Sequence, residues 1–336
     1  MRKITYEEYR RMLLDTDTSD EEIAEYSIVV PGDIAFDPQL KPDPNKVQMT
    51  QDEIEAEDAL RIGNALSRWR RNQKVKKRLA AGDDRPLLVA EGDSWFQFPL
   101  LIREIVDQLG SDYLVWCVSA AGDTAQNMVF GKAEYMTELR RHKDRVKGFL
   151  FSAAGNDIIG EDPMSTDRTP VLLKLLKRPA GEPSETTDYI EMSQLGERLN
   201  FLRQAYRKVI TDIHAEPGLE ELPIFVHGYD VPFPHPWEGD RRDPSWAAKD
   251  QWLGRAFARH QIDDPKLRRK ILRVLINTLY DMYGSLRRDP AVQHVHVVDC
   301  RDAMPSVSDW ADEIHGNNGG FARVAARFKQ AIQPVL

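Results

Sequence analysis

The chain has 336 residues, 41% of them hydrophobic and 30% charged, with a formal net charge of −8. That length holds one large domain or two small ones, and the balance is that of a packed globular chain rather than a disordered one. The negative charge argues against nucleic acid as the main partner, and no run approaches the ~20 apolar residues that a membrane helix needs.

The opening stretch, Met1 to Glu8, carries no apolar core and no cleavage-site pattern, so no signal peptide is expected. The two cysteines fall in or directly beside expected strands, Cys117 within one and Cys300 at the end of another, where cysteine serves as a small hydrophobe. A reduced, cytoplasmic protein is the expectation.

Residues 1–84 read as a mainly helical and irregular extension. Thr18-Ser19-Asp20-Glu21-Glu22 opens a helix, with Ser19 or Thr18 as cap. A stretch punctuated by Pro31, Pro38, Pro42 and Pro44 is expected to be mostly irregular. Thr50-Gln51-Asp52-Glu53 is a capping box ahead of a long helix, acidic at its start and basic from Arg70 to Arg78. Ala59, Ile62, Leu66 and Trp69 form its apolar seam, expected to pack on the following domain or a second subunit. Its basic end reads as a solvated, dipole-matched terminus rather than a nucleic-acid site.

From residue 85 apolar runs alternate with helical segments. The runs are Leu87 to Ala90, Tyr113 to Val118, Phe149 to Ser152, Ile224 to His227 and Val295 to Asp299. Short continuous apolar runs suit strands buried on both faces. Helices are expected near 99–109, 131–146, 187–214, 265–287 and 319–333. The fourth starts with Pro265 after Asp264 and runs Leu267, Ile271, Val274, Thr278 and Met282 down one face. The pattern is a three-layer, doubly wound parallel α/β sheet of five strands. Two connections, 160–187 and 231–264, are longer than such a fold requires, which marks them as lids or binding loops.

Four groups fall at the carboxyl ends of the expected strands, the ligand side of an open α/β sheet. The first is Gly92-Asp93-Ser94, where glycine is read as permitting a sharp turn that delivers Ser94. The others are Gly122, Asn156-Asp157, and Asp312-Glu313-Ile314-His315 just before the last helix. A serine hydroxyl needs a base to become a nucleophile, and a carboxylate holds that base in its tautomer. Asp312 and His315 are three apart, which on a helical turn puts them on one face. The Ser94 and Gly122 amides and the Asn156 side chain supply donors for an oxyanion.

This set, in this order, resembles the SGNH hydrolase (GDSL esterase/lipase) superfamily over roughly residues 85–336. The resemblance implies a flavodoxin-like sheet of strand order 2-1-3-4-5 and ester hydrolysis without metal or organic cofactor. Ser94 becomes the nucleophile, His315 the base, Asp312 its orienting carboxylate, and Ser94, Gly122 and Asn156 the oxyanion hole. Ala154 stands where the third block usually has glycine, a departure of little cost if the loop is unstrained.

Trp95, Asp157, His227, Tyr229 and Trp237 are further candidates for substrate contact. For His227 and Tyr229 plain loop packing stands equal to it; the tryptophans at 237, 246 and 252 either meet a sugar or acyl chain or form a satellite core. Asp93 reads as a turn-stabilising acceptor. His294 and His296 lack a third metal ligand, and no phosphate-binding glycine loop follows the first strand.

The reading is a serine esterase acting on a short-acyl or acetyl ester of a small molecule, carbohydrate or lipid. A carbohydrate deacetylase is favoured over a lipase or lysophospholipase because the long loops are polar with scattered aromatics. A noncatalytic adaptor, using residues 1–84 to hold a partner or a second copy, is the rival; a flavodoxin-like phosphate or flavin binder is a third, lacking a use for Asp312 and His315.

Overall fold

The computed structural model describes residues 3–31, 38–51, 53–54, 63–98, 102–160, 169–242 and 253–336. The N-terminal segments give β1 (Ile4–Thr5), α1 (Tyr6–Leu14), α2 (Asp20–Glu25), β2 (Ser27–Pro31), β3 (Pro38–Pro42), β4 (Val47–Gln48) and α3 (Gly63–Ala80). Ser19 caps α2 through a capping box with Glu22. Thr50 and Glu53 make the other one, the Glu53 amide donating to the Thr50 hydroxyl at 3.3 Å.

The described residues of the proline-punctuated stretch are not mostly irregular. β2 and β3 form an antiparallel pair in which Pro31 faces Pro38 and Ser27 faces Pro42. In a two-stranded sheet both strands are edges, and proline costs no ladder bond where its missing N–H faces outward. Tyr6, Tyr9, Leu13, Ile23, Leu40 and Val47 close a small core here, to which α3 adds Leu66.

The seam expected on that long helix is rotated. Ala59 and Ile62 lie outside the described residues, Leu66 is buried, and Trp69 is 40% exposed. Its place is taken by Arg70, 1% exposed. The Arg70 guanidinium donates to the carbonyls of Met12, Leu13, Asp15 and Thr18 at 2.7–3.1 Å and to Asp20 at 3.3 Å. Arg71 pairs with Glu104 at 2.5 Å and Asp107 at 2.8 Å. Two of the arginines read as a solvated helix end are therefore tie-rods.

The central sheet is β5 (Leu87–Gly92), β6 (Leu114–Cys117), β7 (Val146–Ser152), β8 (Ile224–His227) and β9 (Val295–Val298). The strands are all parallel, in the order β6-β5-β7-β8-β9. Every residue of β5 and β8 is buried, which is why those strands read as unbroken apolar runs. Helices flank the sheet in a flavodoxin-like arrangement. They are α4 (Ile105–Leu109), α5 (Glu134–Arg141) after a π-helical stretch (Gln126–Lys132), α6 (Gly155–Ile159), α7 (Val171–Leu175), α8 (Met192–His214), α9 (Leu253–Arg259), α10 (Pro265–Arg287) and α11 (Asn318–Ile332).

Residues 99–101 of the first expected helix lie outside the described residues, as do 161–168 and 243–252 of the two long connections, including Trp246 and Trp252. The described parts of those connections are not bare loops: they hold α7 and α9. Asp264 caps α10 as expected, accepting from the Lys266 amide. Ile271 and Met282 of the face read in the sequence are buried, and the buried surface extends one residue round to Arg268, Leu272, Leu275 and Leu279. Strand order reverses at β5, so the crevice of the fold lies beyond its carboxyl end.

Candidate active site

β5 ends against β7. The Asp93 amide donates to the Ser152 carbonyl at 3.1 Å. A Cβ on Gly92 would stand 2.6 Å from the Ser152 Cβ, so glycine is needed here for close approach of two strands, not for a left-handed turn. Asp93 then turns the chain by accepting from the Trp95 amide at 3.1 Å. Its other oxygen accepts from the Tyr229 hydroxyl at 2.5 Å. Burial pushes Asp93 up to about 6.

Ser94 emerges from this turn 4% exposed, and its Oγ lies 2.7 Å from His315 Nε2. His315 Nδ1 lies 2.7 Å from Asp312 Oδ2. The pair is not on a helical turn. Residues 311–315 form a bend in which Asp312 Oδ1 accepts from the Ile314 and His315 amides, both at 2.8 Å. One carboxylate thus shapes the loop with one oxygen and takes the imidazole proton with the other. That fixes the tautomer, leaving Nε2 to accept from the serine. Trp95 Nε1 donates to the Ile314 carbonyl at 2.9 Å and Arg242 to the Asp312 carbonyl at 2.8 Å, pinning the loop from both sides.

Two more loops leave the carboxyl ends of the neighbouring strands β6 and β7. Gly122 has φ +79, a backbone state that favours glycine. Asn156 opens α6 and donates to the Asp123 carbonyl at 2.7 Å, which spends one of its two amide hydrogens. Ala154, just ahead of it, has φ +114, so the loop is strained and the alanine is not a cheap replacement for glycine.

A cavity of about 70 Å³ opens beside Ser94. Trp95, Asn156 and Tyr229 stand on its wall, and its far side is Ile158, Ile159, Leu272, Leu275, Ile276 and Leu279. Two of the five residues proposed for substrate contact, Trp95 and Tyr229, therefore reach the cavity; three do not. His227 is fully buried behind it. Its Nδ1 accepts from the Tyr229 amide at 3.3 Å and its Nε2 donates to Ser152 Oγ at 2.8 Å, and burial lowers its pKa to about 3. Asp157 accepts from the Ala125 amide at 3.0 Å and is pushed up to about 7 by burial. Trp237 packs on Phe233, ring centroids 4.9 Å apart, at the margin of the main core rather than in a satellite core of its own.

The apolar wall from α10 was missed because its residues are ordinary helix-face leucines. Only the 3-4 spacing of Leu272, Leu275 and Leu279 hinted that this helix has a second buried stripe. Arg242 carried no signal at all. Among the described residues, no group of His, Cys, Asp and Glu could hold a metal ion.

No family model matches the chain, and no curated protein does. Among solved structures it is similar to a protein from Streptococcus pneumonia provisionally described as a platelet activating factor, with TM-score 0.43, 11% identity and coverage of 84% of this chain and 100% of that one. A second is a provisionally assigned SGNH hydrolase from Slackia heliotrinireducens (0.41, 8%, covering 74% and 99%). A third is a Clostridium thermocellum family 3 carbohydrate esterase (0.38, 11%, covering 75% and 96%). Likeness at this level bears on no reaction, which has to be argued from the site itself.

Proposed function

We propose that the chain is a serine esterase of the SGNH type, with an aliphatic acyl group as its preferred cargo. The observation that carries the reading is the hydrogen-bonded file Asp312–His315–Ser94, 2.7 Å at each step, ending beside an apolar cavity. In the first half-reaction Ser94 Oγ attacks the ester carbonyl carbon while its proton passes to His315 Nε2. The tetrahedral oxyanion is met by the Ser94 and Gly122 amides and the Asn156 side chain. Collapse breaks the bond to the alcohol, which leaves with the proton from His315. In the second half His315 takes a proton from water, the hydroxide attacks the acyl-enzyme, and the acid is released as Ser94 recovers its proton. Asp312 holds the Nδ1 proton of His315 in place and stabilises the imidazolium.

The cavity wall bears on the acyl group. The cavity's polar groups, Asp93, Asn156, Tyr229 and Asp230, are outnumbered by eight isoleucines and leucines, and such a wall gains from each methylene it takes out of water. This favours a short aliphatic chain over acetate, against the deacetylase reading that loop polarity suggested. The test is hydrolysis of p-nitrophenyl acetate, butyrate and octanoate by wild type, Ser94→Ala and Ile276→Trp. Butyrate should exceed acetate in kcat/KM by about tenfold or more. Ser94→Ala should lose on the order of 10⁴-fold or more in rate, and Ile276→Trp should move the preference toward acetate. Acetate as good as butyrate would remove the acyl assignment; turnover unaffected by Ser94→Ala would remove the esterase.

A further inference from the structure

The long helix of the N-terminal extension, α3, grips the loop that follows β6. Two of its asparagines do so in the same way. Asn72 accepts from the Cys117 amide at 2.9 Å and donates to the Cys117 carbonyl at 2.8 Å. Asn64 accepts from the Ala121 amide at 3.1 Å and donates to the Ala121 carbonyl at 3.2 Å. Between them Arg68 donates to the Val118 carbonyl at 2.8 Å. Positions 64, 68 and 72 share one face of the helix. Each asparagine amide presents its donor and acceptor to a backbone much as a neighbouring strand would, so α3 covers the free edge of the sheet and continues past its end.

The Ala121 carbonyl matters most, because it belongs to the peptide unit that carries the Gly122 N–H. That unit is trans. In a planar trans peptide the C=O and N–H point in opposite directions. A donor from Asn64 that fixes the carbonyl toward α3 therefore fixes the Gly122 N–H away from it. Gly122 sits at φ +79, and glycine crosses between backbone states with little steric cost. This is a peptide able to flip unless something holds it. The loop is anchored on its other flank as well: Ala120 donates to the Gly92 carbonyl at 2.9 Å, and the Asp123 carbonyl accepts from Asn156 at 2.7 Å.

We infer that Asn64 is a positioning residue that locks the Ala121–Gly122 peptide with its N–H toward the oxyanion site, making the N-terminal extension part of the catalytic apparatus. The inference rests on the esterase reading and on Gly122 as an oxyanion donor. It gives the extension a task that neither an adaptor arm nor a simple edge cover would require. Asn72, four residues of loop further back, holds the strand end and not the donor peptide.

The full-length protein tests this with Asn64→Ala, Asn64→Asp and, as a control in the same extension, Arg70→Leu. The readouts are kcat and KM for p-nitrophenyl butyrate, Tm, and amide hydrogen exchange of the 117–124 segment. Asn64→Ala is expected to lower kcat about 10- to 100-fold with KM within about twofold and to speed exchange in 117–124. Asn64→Asp keeps the acceptor for the Ala121 amide but loses the donor to its carbonyl, so exchange should stay near wild type while kcat still falls. Arg70→Leu should lower Tm and leave kcat unchanged. Wild-type kcat in Asn64→Ala, or a loss that Arg70→Leu reproduces in step with Tm, would overturn the lock and leave the esterase standing. Wild type without Ser94-dependent turnover removes the esterase itself; unchanged exchange in Asn64→Ala would even then dismiss the clamp as a structural statement.

Discussion

Two polar clusters on this molecule are equally hidden from water and differ in what they can do. Around Arg70, 1% exposed, the two terminal nitrogens of the guanidinium bond four carbonyls and Asp20, all within the N-terminal extension, and among the described residues its buried Nε faces no cavity that a substrate could enter. Around His315, also 1% exposed, the hydrogen bonds run in single file and stop at a serine hydroxyl that faces a cavity. The first closes on itself and holds two segments together. The second leaves its last atom, a poor nucleophile made better by its neighbour, where a substrate can arrive. A buried polar network marks a reactive site when it ends on an unspent group beside open space, not when it is merely dense.

The sharpest way to separate the two is to break the closed one. Arg70→Leu leaves several buried carbonyls without a partner, and should cost about 3 kcal/mol in urea unfolding, with kcat per folded molecule unchanged. A kcat that fell with stability would mean that the two clusters are coupled.

Glu313 offers a gentler probe, because it stands between Asp312 and His315 in sequence yet behaves as an anchor. Its Oε1 accepts from the His235 amide at 2.5 Å and the Gly254 amide at 2.8 Å, and its Oε2 finds no hydrogen-bond partner among the described residues. Burial pushes it from 4.5 up to about 7. The fold therefore favours its uncharged form. The stability this contributes is full below about pH 4.5 and is lost as pH rises through about 7. Glu313→Gln keeps a carbonyl acceptor for both amides and cannot ionise. It should flatten the fall in stability between pH 5 and pH 8 by on the order of 2 kcal/mol relative to wild type. An unchanged pH profile would show that Glu313 is charged throughout.

Ala154 is the smallest test. With φ +114 it stores strain two residues before Asn156. Ala154→Gly should raise stability by about 1 kcal/mol in the same urea titration, the relief exceeding the extra freedom of glycine in the unfolded chain. A loss of stability would place the strain elsewhere.

Much of the frame was legible in the chain. The five strands declared themselves because a parallel sheet buries both faces, so Leu87 to Ala90 and Ile224 to His227 have no polar alternation to confuse them. The order of Gly92-Asp93-Ser94, Gly122, Asn156-Asp157 and Asp312-x-x-His315 was legible because each follows a strand. What stayed hidden depends on partners distant in sequence. Nothing local says that Arg70 faces carbonyls more than fifty residues away, that prolines 31, 38 and 42 sit harmlessly on paired edges, or that Asn64 meets Ala121. The cavity was hidden for the same reason, since α10 supplies its wall from the far end of the domain. The Asp312–His315 pair was found with the wrong local geometry: spacing of three suits a helix, but an aspartate that accepts from the next two amides makes a bend that serves equally well. His227, at the carboxyl end of β8, reads equally as a substrate contact or as packing; it is the second, one layer too deep for a substrate, as the buried partner of Ser152.

The most direct test of the account is covalent capture of the nucleophile. Wild-type protein and Ser94→Ala are treated with a fluorophosphonate, and the adduct is located by intact mass and peptide mapping. The account predicts one adduct per chain, on Ser94, formed in step with loss of ester hydrolysis and absent from Ser94→Ala. A wild-type chain that stays unlabelled, or a label that persists in Ser94→Ala, would contradict it.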